Sequence, residues 1–588
     1  MIACTYRPLL RAFLSTLAAA QLVLAATVAG AAPSPAAVLQ RPARVDAFEY
    51  QNVDTVVAIG DVHGAIDELQ QLLRGAGLID GANRWTGGKT HLVSLGDLID
   101  RGDATRPVLD LLMRLQEEAV AAGGAVHVLM GNHELLNLTG DWRDVSPADL
   151  ASFDSADARR EAFYRFGTYG DWLLRRPVLI KINQRLFTHG GLSSLLLDGP
   201  LAKTNDVPMN LLKAMVIEAE TLIADEVIAA DTKLLSLAEQ PRQPGEDPSL
   251  RRLRGMVDSP YFADNGPLWY RGTSGCEATI EADLTNAVLQ HLDASSVVVG
   301  HSPTWNHRVR RLQGGKVWAI DTGMLASAYR GKPYAVRWRG EQVEVLDASG
   351  ASVPWADEVF AQASAAQLAA AQARMATYQV VRSEAQPETP RPRRYRKDQL
   401  VQVTDANGEP VGNAWFRELG KRDVRKELAA WQLDRLLGLG LVPDTFAAAL
   451  GKDRGIVMLM DSLVLTEQQR LDQDRAFANW CERGNGYQAV TVFDALIHQR
   501  DRDSWNLAYE HRLTKIRLTD HADSFGSASK PAKPKVPLAI SETLRGRLAA
   551  LTQETLTEQL GELLSKREIK ALLRRRDVIV RWPGLPGA

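Results

Sequence analysis

The 588-residue sequence contains only three cysteines, Cys4, Cys276 and Cys481, and almost no excess charge. Three scattered cysteines are too few for a disulfide framework or a cysteine-based zinc site, and nothing in their sequence setting pairs them. The formal net charge is −2, so no basic excess favours nucleic acid as a partner. The chain is too long for one core, and a prior of roughly 100–200 residues per domain predicts two to four domains.

The N-terminus combines Arg7 and Arg11 with an apolar run from Ala12 to Thr27 and a small-residue site at 29–31. This order is typical of a secretory signal peptide, which predicts that residues 1–31 are removed on export, to the periplasm. The alternative is an uncleaved membrane anchor, because the run is about long enough to cross a bilayer by the ~20-residue criterion. Only that alternative gives the protein a membrane contact.

Composition divides the remaining chain into two globular units. A Pro/Ala-rich linker at 32–49 precedes the first unit, 50–350. Residues 351–397 contain an Ala/Gln-rich stretch that is helical in character, followed by Pro and Arg residues without apolar periodicity. The latter composition is typical of an exposed linker, which places a second unit at 398–588.

Short apolar runs alternate with amphipathic helical stretches in the first unit, which is the signature of βαβ units and an α/β fold. A long insert contains helix-prone sequence at 211–237 and a Pro/Arg/Glu-rich loop at 240–254, and we expect it to form a cap beside the site. The predicted strands are Thr55–Gly60, His91–Gly96, Ala125–Gly131, Arg185–His189, Ser296–Gly300 and Lys316–Ile320.

All but the last of these strands end beside residues that can bind a metal, and ligands of open α/β sheets gather beyond the carboxyl ends of the strands. The candidates are Asp61, His63, Asp97, Asn132, His189 and His301. Mixed carboxylate, amide and imidazole ligands suit Mn, Fe or Zn rather than calcium. A set of this size predicts two divalent ions with one bridging carboxylate. Two such ions can hold a phosphate ester, activate a bridging water as hydroxide and stabilise an in-line transition state.

Five ordered motifs carry a family resemblance: GDVHG at 60–64, GDLIDRG at 96–102, GNHE at 131–134, THGG at 188–191 and VGHS at 299–302. They resemble the calcineurin-like metallophosphoesterases, and the DRG and GNHE sequences are similar to the phosphoprotein-phosphatase branch. NLTGDWR at 137–143 and GPLWYRG at 266–272 resemble the Shewanella-like protein phosphatases. The resemblance covers about residues 50–345. It implies a β-sandwich flanked by helices that hydrolyses phosphomonoesters, on phosphoproteins or, alternatively, on nucleotides and other small molecules.

The resemblance also implies a role for each motif residue. Asp61, His63 and Asp97 would hold one metal ion. Asp97 would bridge to a second ion, whose further ligands would be Asn132, His189 and His301.

His133 would be the general acid that protonates the leaving alcohol, with Asp100 orienting it and tuning its pKa. Arg101 would clamp the phosphate through its planar fork, with Arg271 as a second clamp candidate. Alternatively, Arg101 is a structural ion-pair partner of Asp100. Turn or capping roles are expected for Asp103 and Glu134.

In the second unit, Asp501 and Asn506 are five residues apart, and Asp520 ends a strand-like run fourteen residues later. This arrangement resembles the atypical kinase-like families, such as the HipA-like, lipid-kinase-like and secreted-kinase-like groups. The resemblance implies an α+β domain in which Asp501 orients a hydroxyl while Asn506 and Asp520 hold magnesium on ATP. Glu427 would pair with a strand cation.

The second unit departs from the kinase-like pattern in two places. Arg417 stands where a strand lysine is expected, and arginine lacks the compact ammonium of lysine. The glycine-rich loop at 407–412 is sparse. The alternative is a helical interaction domain in which residues 501–503 form a solvated charge run. A non-catalytic scaffold built on both units is the hypothesis from a different class, and the oligomeric state stays open.

Overall fold

A computed structural model describes residues 48–242, 244–276, 278–304, 306–357, 362–383, 398–460, 464–475, 483–510, 515–532 and 539–584. Residues 48–588 form one compact unit. The predicted signal peptide and nearly all of the first linker lie outside the described residues. Among the helices of the described ranges, none combines the length and the apolar character that crossing a bilayer requires.

The strands of the first part of the chain are β1 (Glu49–Tyr50), β2 (Thr55–Ile59), β3 (His91–Ser94), β4 (Ala125–Val128), β5 (Leu179–Ile182), β6 (Arg185–Thr188), β7 (Ser296–Val299), β8 (Arg310–Leu312), β9 (Val317–Ala319), β10 (Tyr334–Arg339), β11 (Gln342–Asp347), β12 (Ser352–Val353) and β13 (Ala356–Asp357). Its helices are α1 (Ile66–Gly75), α2 (Thr105–Ala121), α3 (Asn132–Leu138), α4 (Pro147–Ala151), α5 (Ala156–Phe163), α6 (Thr168–Leu173), α7 (Leu201–Ala224), α8 (Pro248–Val257), α9 (Gly272–Gly275), α10 (Ala278–His291) and α11 (Ala326–Tyr329). Single 3₁₀ turns lie at Ser194–Leu197, Leu234–Ala238, Pro260–Phe262 and Gln313–Gly315.

These strands form two sheets that pack face to face, with helices on their outer sides. One sheet has the order β1-β5-β6-β7-β9-β8-β13 and the other β12-β11-β10-β2-β3-β4. Alternate strand residues face opposite sides, so in β2 Val56 and Ala58 enter the apolar layer between the sheets while Val57 and Ile59 pack on the helices. The expected β-sandwich flanked by helices is confirmed.

Parallel pairing places several strand ends at one edge of the sandwich. In one sheet Ile59 of β2 pairs with Ser94 of β3, which pairs with Val128 of β4. In the other sheet, β6 and β7 are parallel and Thr188 pairs with Val299. The loops that follow these strands carry the candidate ligands, so the register itself gathers them.

All six predicted strands are present, and the ends differ by a few residues. The expected loop at 240–254 is wrong in part, because α8 begins at Pro248. The Asp247 carboxylate caps this helix by accepting from the N–H groups of Ser249 and Leu250, and proline suits the first helical position. The described insert also packs on the loop after α3, where Lys233 lies 3.3 Å from Asp141.

The strands of the second part are β14 (Gln379–Arg382), β15 (Gln399–Thr404), β16 (Pro410–Glu418), β17 (Thr445–Leu450), β18 (Asp453–Leu459), β19 (Leu465–Thr466), β20 (Leu507–Glu510) and β21 (Lys515–Leu518). Its helices are α12 (Ala365–Met375), α13 (Lys421–Leu437), α14 (Glu467–Asp472), α15 (Arg483–Ile497), α16 (Glu542–Ala549), α17 (Gln553–Leu560) and α18 (Lys566–Ile579). A five-stranded sheet has the order β14-β15-β16-β18-β17, and β19-β20-β21 form a second one.

The second part has its own hydrophobic core, which also contains Leu368 and Met375 of α12. The Ala/Gln-rich stretch, which begins at residue 356, was expected to be helical. It instead starts with strand β13, which pairs with β8, and its helix begins at Ala365. The Asp283 carboxylate on α10 accepts from the N–H groups of Glu542 (2.7 Å) and Thr543 (3.1 Å) at the start of α16. This cap joins the two parts.

Cys276, which showed no partner in the sequence, is disulfide-bonded. It ends the short helix α9 and immediately precedes α10. The other two cysteines, Cys4 and Cys481, lie outside the described residues. No sequence feature around Cys276 indicated this disulfide.

His127 and His91, which carry no motif, form a pair on neighbouring strands with 3.0 Å between His127 Nε2 and His91 Nδ1. Burial and, to a lesser extent, the adjacent His91 together lower the pKa of His127 to about 3. The neutral ring is therefore favoured in the folded protein, whereas the ring in the unfolded chain is protonated once the pH falls below its ordinary pKa of 6.5.

We expect His127→Gln to reduce the acid sensitivity of the fold. Because the folded pKa is depressed, the unfolded chain binds the extra proton, so wild-type stability falls as the pH drops from about 6.5 towards 3, by about 2 kcal/mol at pH ~5. Urea unfolding near neutral pH and near pH ~5 measures this difference, which should be smaller in the variant. The exposed His291→Gln is the control and should keep the wild-type difference. An unchanged acid response of His127→Gln contradicts the expectation.

Candidate functional site

The candidate residues of the first part meet at the sandwich edge in a strained backbone. Five of them have φ in the left-handed region, at His63 (48°), Asp97 (48°), Asp100 (69°), Arg101 (67°) and His301 (62°). Non-glycine residues adopt this region rarely, and such strain concentrates at functional sites because the surrounding structure must hold it. The loops after β2, β3 and β7 are thus shaped to point particular side chains inward.

One group of ligand atoms surrounds His189. Its Nδ1–H donates to the carbonyl of Leu95 (3.0 Å), so the neutral ring presents a lone pair at Nε2. That Nε2 lies 2.9 Å from Asn132 Oδ1, 3.1 Å from His301 Nδ1 and 3.3 Å from Asp97 Oδ1. Lone pairs on atoms this close repel one another unless a proton or a cation lies between them. His301 Nε2 makes no hydrogen bond to any described residue.

A second group surrounds His63 on the other side of Asp97. His63 Nδ1 donates to the carbonyl of Ile99 (3.1 Å), which leaves Nε2 facing the site. This Nε2 lies 3.8 Å from Asp97 Oδ2 and 4.0 Å from Asp61 Oδ2, and it accepts a hydrogen bond from the Tyr329 hydroxyl (3.1 Å). His133 Nε2 is also 3.8 Å from Asp97 Oδ2.

Asp97 is therefore common to both groups. Metal-capable atoms of Asp97, His63 and His133 lie within 4.8 Å of one another, and so do those of Asp97, His189 and His301. Burial alone would raise the pKa of Asp97, but His189 and then His133 hold it well below its ordinary range. An ionised buried carboxylate between imidazole nitrogens is the donor set that borderline divalent cations prefer. The side chains present fit two ions that share Asp97.

The Asp61 carboxylate accepts from the backbone N–H of His301, at 3.0 and 3.1 Å. Burial raises the pKa of Asp61 well above its ordinary range, and the neighbouring Asp321 raises it further. Burial also raises the pKa of Asp321, to about 6. Two buried carboxylates this close favour a cation between or beside them.

Glu134 has the capping role that the sequence favoured. Its carboxylate accepts from the backbone N–H groups of Gly131, Asp97 and Leu98, each at 2.8 Å. Burial raises the pKa of Glu134 to about 7. These hydrogen bonds tie the loop after β3 to the start of α3, so Glu134 fixes the backbone from which Asp97 projects.

His133 and Asp100 form a buried pair at the start of α3. His133 Nδ1 lies 2.8 Å from Asp100 Oδ2, and the Asn137 amide donates to both carboxylate oxygens at 2.9 and 3.0 Å. Burial disfavours the charged ring, but Asp97 and then Asp100 raise the pKa of His133 above its ordinary value. With Nδ1 engaged, Nε2 is the atom that faces Asp97 and the ligand groups.

The two arginine candidates differ in their contacts. Arg101 is exposed, its backbone N–H donates to the carbonyl of Asp144 (2.8 Å), and its guanidinium lies 5.3 Å from the Tyr329 ring centroid. Arg271 Nη1 donates to the carbonyl of His301 (2.7 Å) and to the Ser302 hydroxyl (3.0 Å). The guanidinium beside Asp100 is that of Arg159, at 3.9 Å.

The structure adds side chains that the sequence reasoning missed. Asp321 directly follows β9, so the strand-end rule used for the other ligands could have found it. Asn137 lies one helical turn after His133, a spacing that places both on one face of α3. Tyr329 and Arg159 come from helices α11 and α5, and their sequence surroundings carry no signal.

In the second part, the guanidinium of Arg417 forks onto Asp398 (2.9 and 2.8 Å) and lies 3.5 Å from Asp520 Oδ1. Glu427 accepts from the backbone N–H of His521 (2.8 Å) and lies 2.9 Å from its Nδ1. Glu427 was expected to pair with a cation on a strand. The strand cation Arg417 instead forms its two hydrogen bonds with Asp398, and Glu427 pairs with His521.

Gln499 links two of the remaining kinase-like candidates. Its amide donates to Asp501 Oδ1 (2.7 Å) and to the carbonyl of Asp520 (2.9 Å). Asn506 is fully buried, and its Oδ1 accepts from the N–H of Asp503 (2.9 Å). That hydrogen bond turns the Asn506 amide onto its own loop. Asp520 has φ of 63°, a strained backbone like that of the first site.

Comparisons with known proteins match the part of the chain that carries this site. The calcineurin-like phosphoesterase family matches residues 55–304. Shewanella-like protein phosphatase 1 of Plasmodium berghei is 30% identical over 303 residues, which are 50% of this chain and 74% of that protein. A symmetrical bis(5'-nucleosyl)-tetraphosphatase of Neisseria meningitidis serogroup A is 27% identical over 139 residues, 23% of this chain and 42% of that protein. A solved cold-active protein-tyrosine phosphatase of a psychrophilic Shewanella species has 29% identity and a TM-score of 0.40, covering 52% of this chain and 81% of that one.

The chain belongs to the calcineurin-like phosphoesterase family, among the Shewanella-like protein phosphatases. It is a metal-dependent phosphoester hydrolase. The motifs that suggested the family in the sequence are the ones that form the two ligand groups around Asp97.

We expect Mn²⁺ to raise the melting temperature of the wild-type protein and to have little effect on Asp97→Asn, because Asp97 is common to both ligand groups. A ligand at 100 times its dissociation constant stabilises the folded state by about 2.7 kcal/mol. Differential scanning fluorimetry with and without a chelator measures the shift. Asp103→Asn is the matched control, since that exposed carboxylate accepts only from Ser146 among described contacts. Equal shifts in the two variants would exclude Asp97 as the shared ligand.

Proposed function

We propose that this hydrolase removes phosphate from phosphoproteins, with two divalent ions at the groups around Asp97 and with His133 as general acid. The observation that carries the proposal is the cluster of metal-capable atoms around His189, next to the oriented pair of His133 and Asp100. Two bound Mn, Fe or Zn ions would activate water and neutralise phosphoryl charge. The side chains supply the remaining parts of the reaction.

His133 would supply the proton for the leaving group. Its Nδ1 is engaged by Asp100, so the ring is oriented with Nε2 towards Asp97. As the ester P–O bond breaks, the bonding electron pair goes to the leaving oxygen and the Nε2 proton passes to that oxygen. Proton donation of this kind contributes typically 10²–10⁴-fold to a rate.

Arg101 would hold the phosphoryl oxygens. Its side chain is exposed at the edge of the site, while its backbone N–H is fixed by the Asp144 carbonyl. A guanidinium fork can donate two parallel hydrogen bonds to phosphate. Arg271 is a second candidate, and its hydrogen bonds to His301 and Ser302 hold it beside the ligand group.

Phosphoproteins are the proposed substrates because the Plasmodium berghei relative is named as a protein phosphatase. The alternative is a small phosphoester, which the match to the Neisseria meningitidis tetraphosphatase favours. A metal site treats phosphoryl groups alike, so the choice depends on the surfaces around it. Export to the periplasm is proposed from the N-terminal sequence pattern alone.

We expect the Mn²⁺-loaded protein to prefer phosphopeptides. The measurement is kcat/KM for four substrates: a phosphoserine peptide, a phosphotyrosine peptide, a nucleoside monophosphate and diadenosine tetraphosphate. We expect kcat/KM for one of the two peptides to exceed the nucleotide values by about tenfold or more, because the ratio of these constants defines specificity. Asp97→Asn, purified in parallel, controls for contaminating phosphatases. Faster hydrolysis of the nucleotides would replace the phosphoprotein proposal. A folded, metal-loaded protein that is inactive with Mn, Fe and Zn would favour the scaffold hypothesis.

A second function, nucleotide binding by the kinase-like second part, is favoured by the buried network of Arg417, Asp520, Glu427 and His521. In this network Asp520 would hold Mg²⁺ on the phosphates and Asp501 would face the hydroxyl side. The Asn506 side chain forms a hydrogen bond within its own loop. We therefore limit the proposal to the binding of Mg-ATP and do not extend it to phosphoryl transfer.

We expect a non-hydrolysable ATP analogue with Mg²⁺ to raise the melting temperature of the full chain by about 2 °C or more, since a bound ligand stabilises the folded state. Asp520→Asn should lose most of this shift. Asp577→Asn, an exposed carboxylate on α18, is the control and should keep it. The Asp97→Asn variant tests whether the phosphatase site contributes. A shift that survives Asp520→Asn but not Asp97→Asn assigns the nucleotide to the first site instead.

A further inference from the structure

Arg159 on α5 is a fully buried arginine that makes no hydrogen bond to any described residue. Its guanidinium instead lies among aromatic rings, 4.7 Å from the centroid of Phe163, 5.1 Å from Trp142 and 5.4 Å from Phe153. The five N–H groups of an arginine nearly always find acceptors when they leave water. This exception therefore requires an explanation.

The aromatic rings alone do not explain it, because cation–π contacts return only part of the hydration that a guanidinium loses on burial. A buried charge is retained where it faces a buried charge of opposite sign, since removing one partner of such a pair leaves the other uncompensated. The groups that Arg159 faces therefore indicate the use of its charge.

The charge faces two carboxylates. Arg159 Nη2 lies 3.5 Å from Asp149 Oδ2 and 3.9 Å from Asp100 Oδ1. Asp149 accepts from the N–H of Thr105 (3.0 Å) at the start of α2, which is a structural contact. Asp100 is the partner of His133, and its other hydrogen bonds come from Asn137. Both carboxylates and Arg159 are fully buried, so water screens these interactions little.

The segment that carries the cage also contacts the pair elsewhere. The Asp144 carbonyl accepts from the backbone N–H of Arg101, and the Asp144 carboxylate lies 4.0 Å from His133 Nδ1. Residues 142–163 therefore contribute two charged side chains, those of Asp144 and Arg159, beside the pair of Asp100 and His133. Arg159 is the described cation of this segment that lies within 4 Å of Asp100.

We infer that Arg159 is a positioning residue for proton donation to the leaving group. Its charge fixes the Asp100 carboxylate from behind, and Asp100 then holds the His133 ring so that Nε2 meets the leaving oxygen. This inference rests on the proposed function of His133 as general acid. The step itself is unchanged: the ester P–O bond breaks, its electron pair goes to the leaving oxygen, and the His133 proton follows.

A positioning role has a signature that a structural role lacks. Proton donation matters greatly for an alkyl leaving group such as the serine hydroxyl, and little for p-nitrophenol, which leaves readily as an anion. Loss of Arg159 should therefore reduce kcat selectively for poor leaving groups. It should leave KM nearly unchanged, because Arg159 is buried behind the pair and does not reach the substrate.

The test compares Arg159→Met, which removes the charge at similar length, with Arg159→Lys, which keeps it. We expect Arg159→Met in the Mn²⁺-loaded full chain to lower kcat for a phosphoserine peptide by about tenfold or more, and for p-nitrophenyl phosphate by less than about threefold. Arg159→Lys should recover most of the loss. Arg159→Met should melt at a lower temperature than the wild type, because Asp100 and Asp149 lose their cation, so the rates are compared below that temperature. If Arg159→Met does not fold, Arg159→Gln takes its place.

Two further variants separate the possible failures. His133→Ala should show the same leaving-group selectivity with a larger loss; if it does not, the general-acid proposal fails rather than the role of Arg159. Asp149→Asn should keep the wild-type selectivity. If Asp149→Asn reproduces the selective loss, or if Arg159→Met slows both substrates equally, the inference is overturned.

A spectroscopic measurement tests the inference without activity. The downfield proton resonance of the His133 Nδ1–H, identified by its disappearance in His133→Ala, should shift or broaden in Arg159→Met and stay unchanged in Asp149→Asn. An unmoved resonance in Arg159→Met contradicts the positioning role even if the protein hydrolyses none of the substrates.

Discussion

The Asp97 carboxylate lies among three imidazoles, 3.3 Å from His189 Nε2 and 3.8 Å from both His63 Nε2 and His133 Nε2. This arrangement requires Asp97 to adopt a left-handed backbone, which the three hydrogen bonds accepted by Glu134 help to hold. It also requires glycine at position 131, because a Cβ there would lie 2.3 Å from the backbone N of Asp97. Both sides of the site are built around this one buried charge.

Much of this site could be predicted from the sequence because strand ends determine it. Parallel pairing of β2 with β3 and of β3 with β4 fixes where their carboxyl ends lie, so Asp61, Asp97 and Asn132 meet without any knowledge of the loops between. The same holds for His189 and His301 after β6 and β7. A buried apolar run that stops at glycine is a strong local signal for such an end.

The rest could not be predicted because it depends on packing between distant segments. Arg159 reaches Asp100 only because α5 lies beside the loop after β3, and no periodicity in the sequence predicts that contact. Short strands such as β1 and β13 are defined by their partners rather than by their composition. In the second part, residue spacing does not determine the partner of Glu427, which depends on which carboxylate pairs with Arg417.

The electrostatics of the first site links metal binding to folding. Asp61, Asp97, Glu134 and Asp321 are buried together, and the raised pKa values of Asp61, Glu134 and Asp321 express the mutual repulsion and lost hydration of these carboxylates. Bringing such charges together destabilises the folded chain, and the apolar layer between the two sheets must offset it. Cations bound among the carboxylates and imidazoles would relieve the repulsion, so part of their binding free energy becomes folding free energy. The same buried charges that make the metal-free fold less stable are therefore the ones that give it affinity for divalent ions.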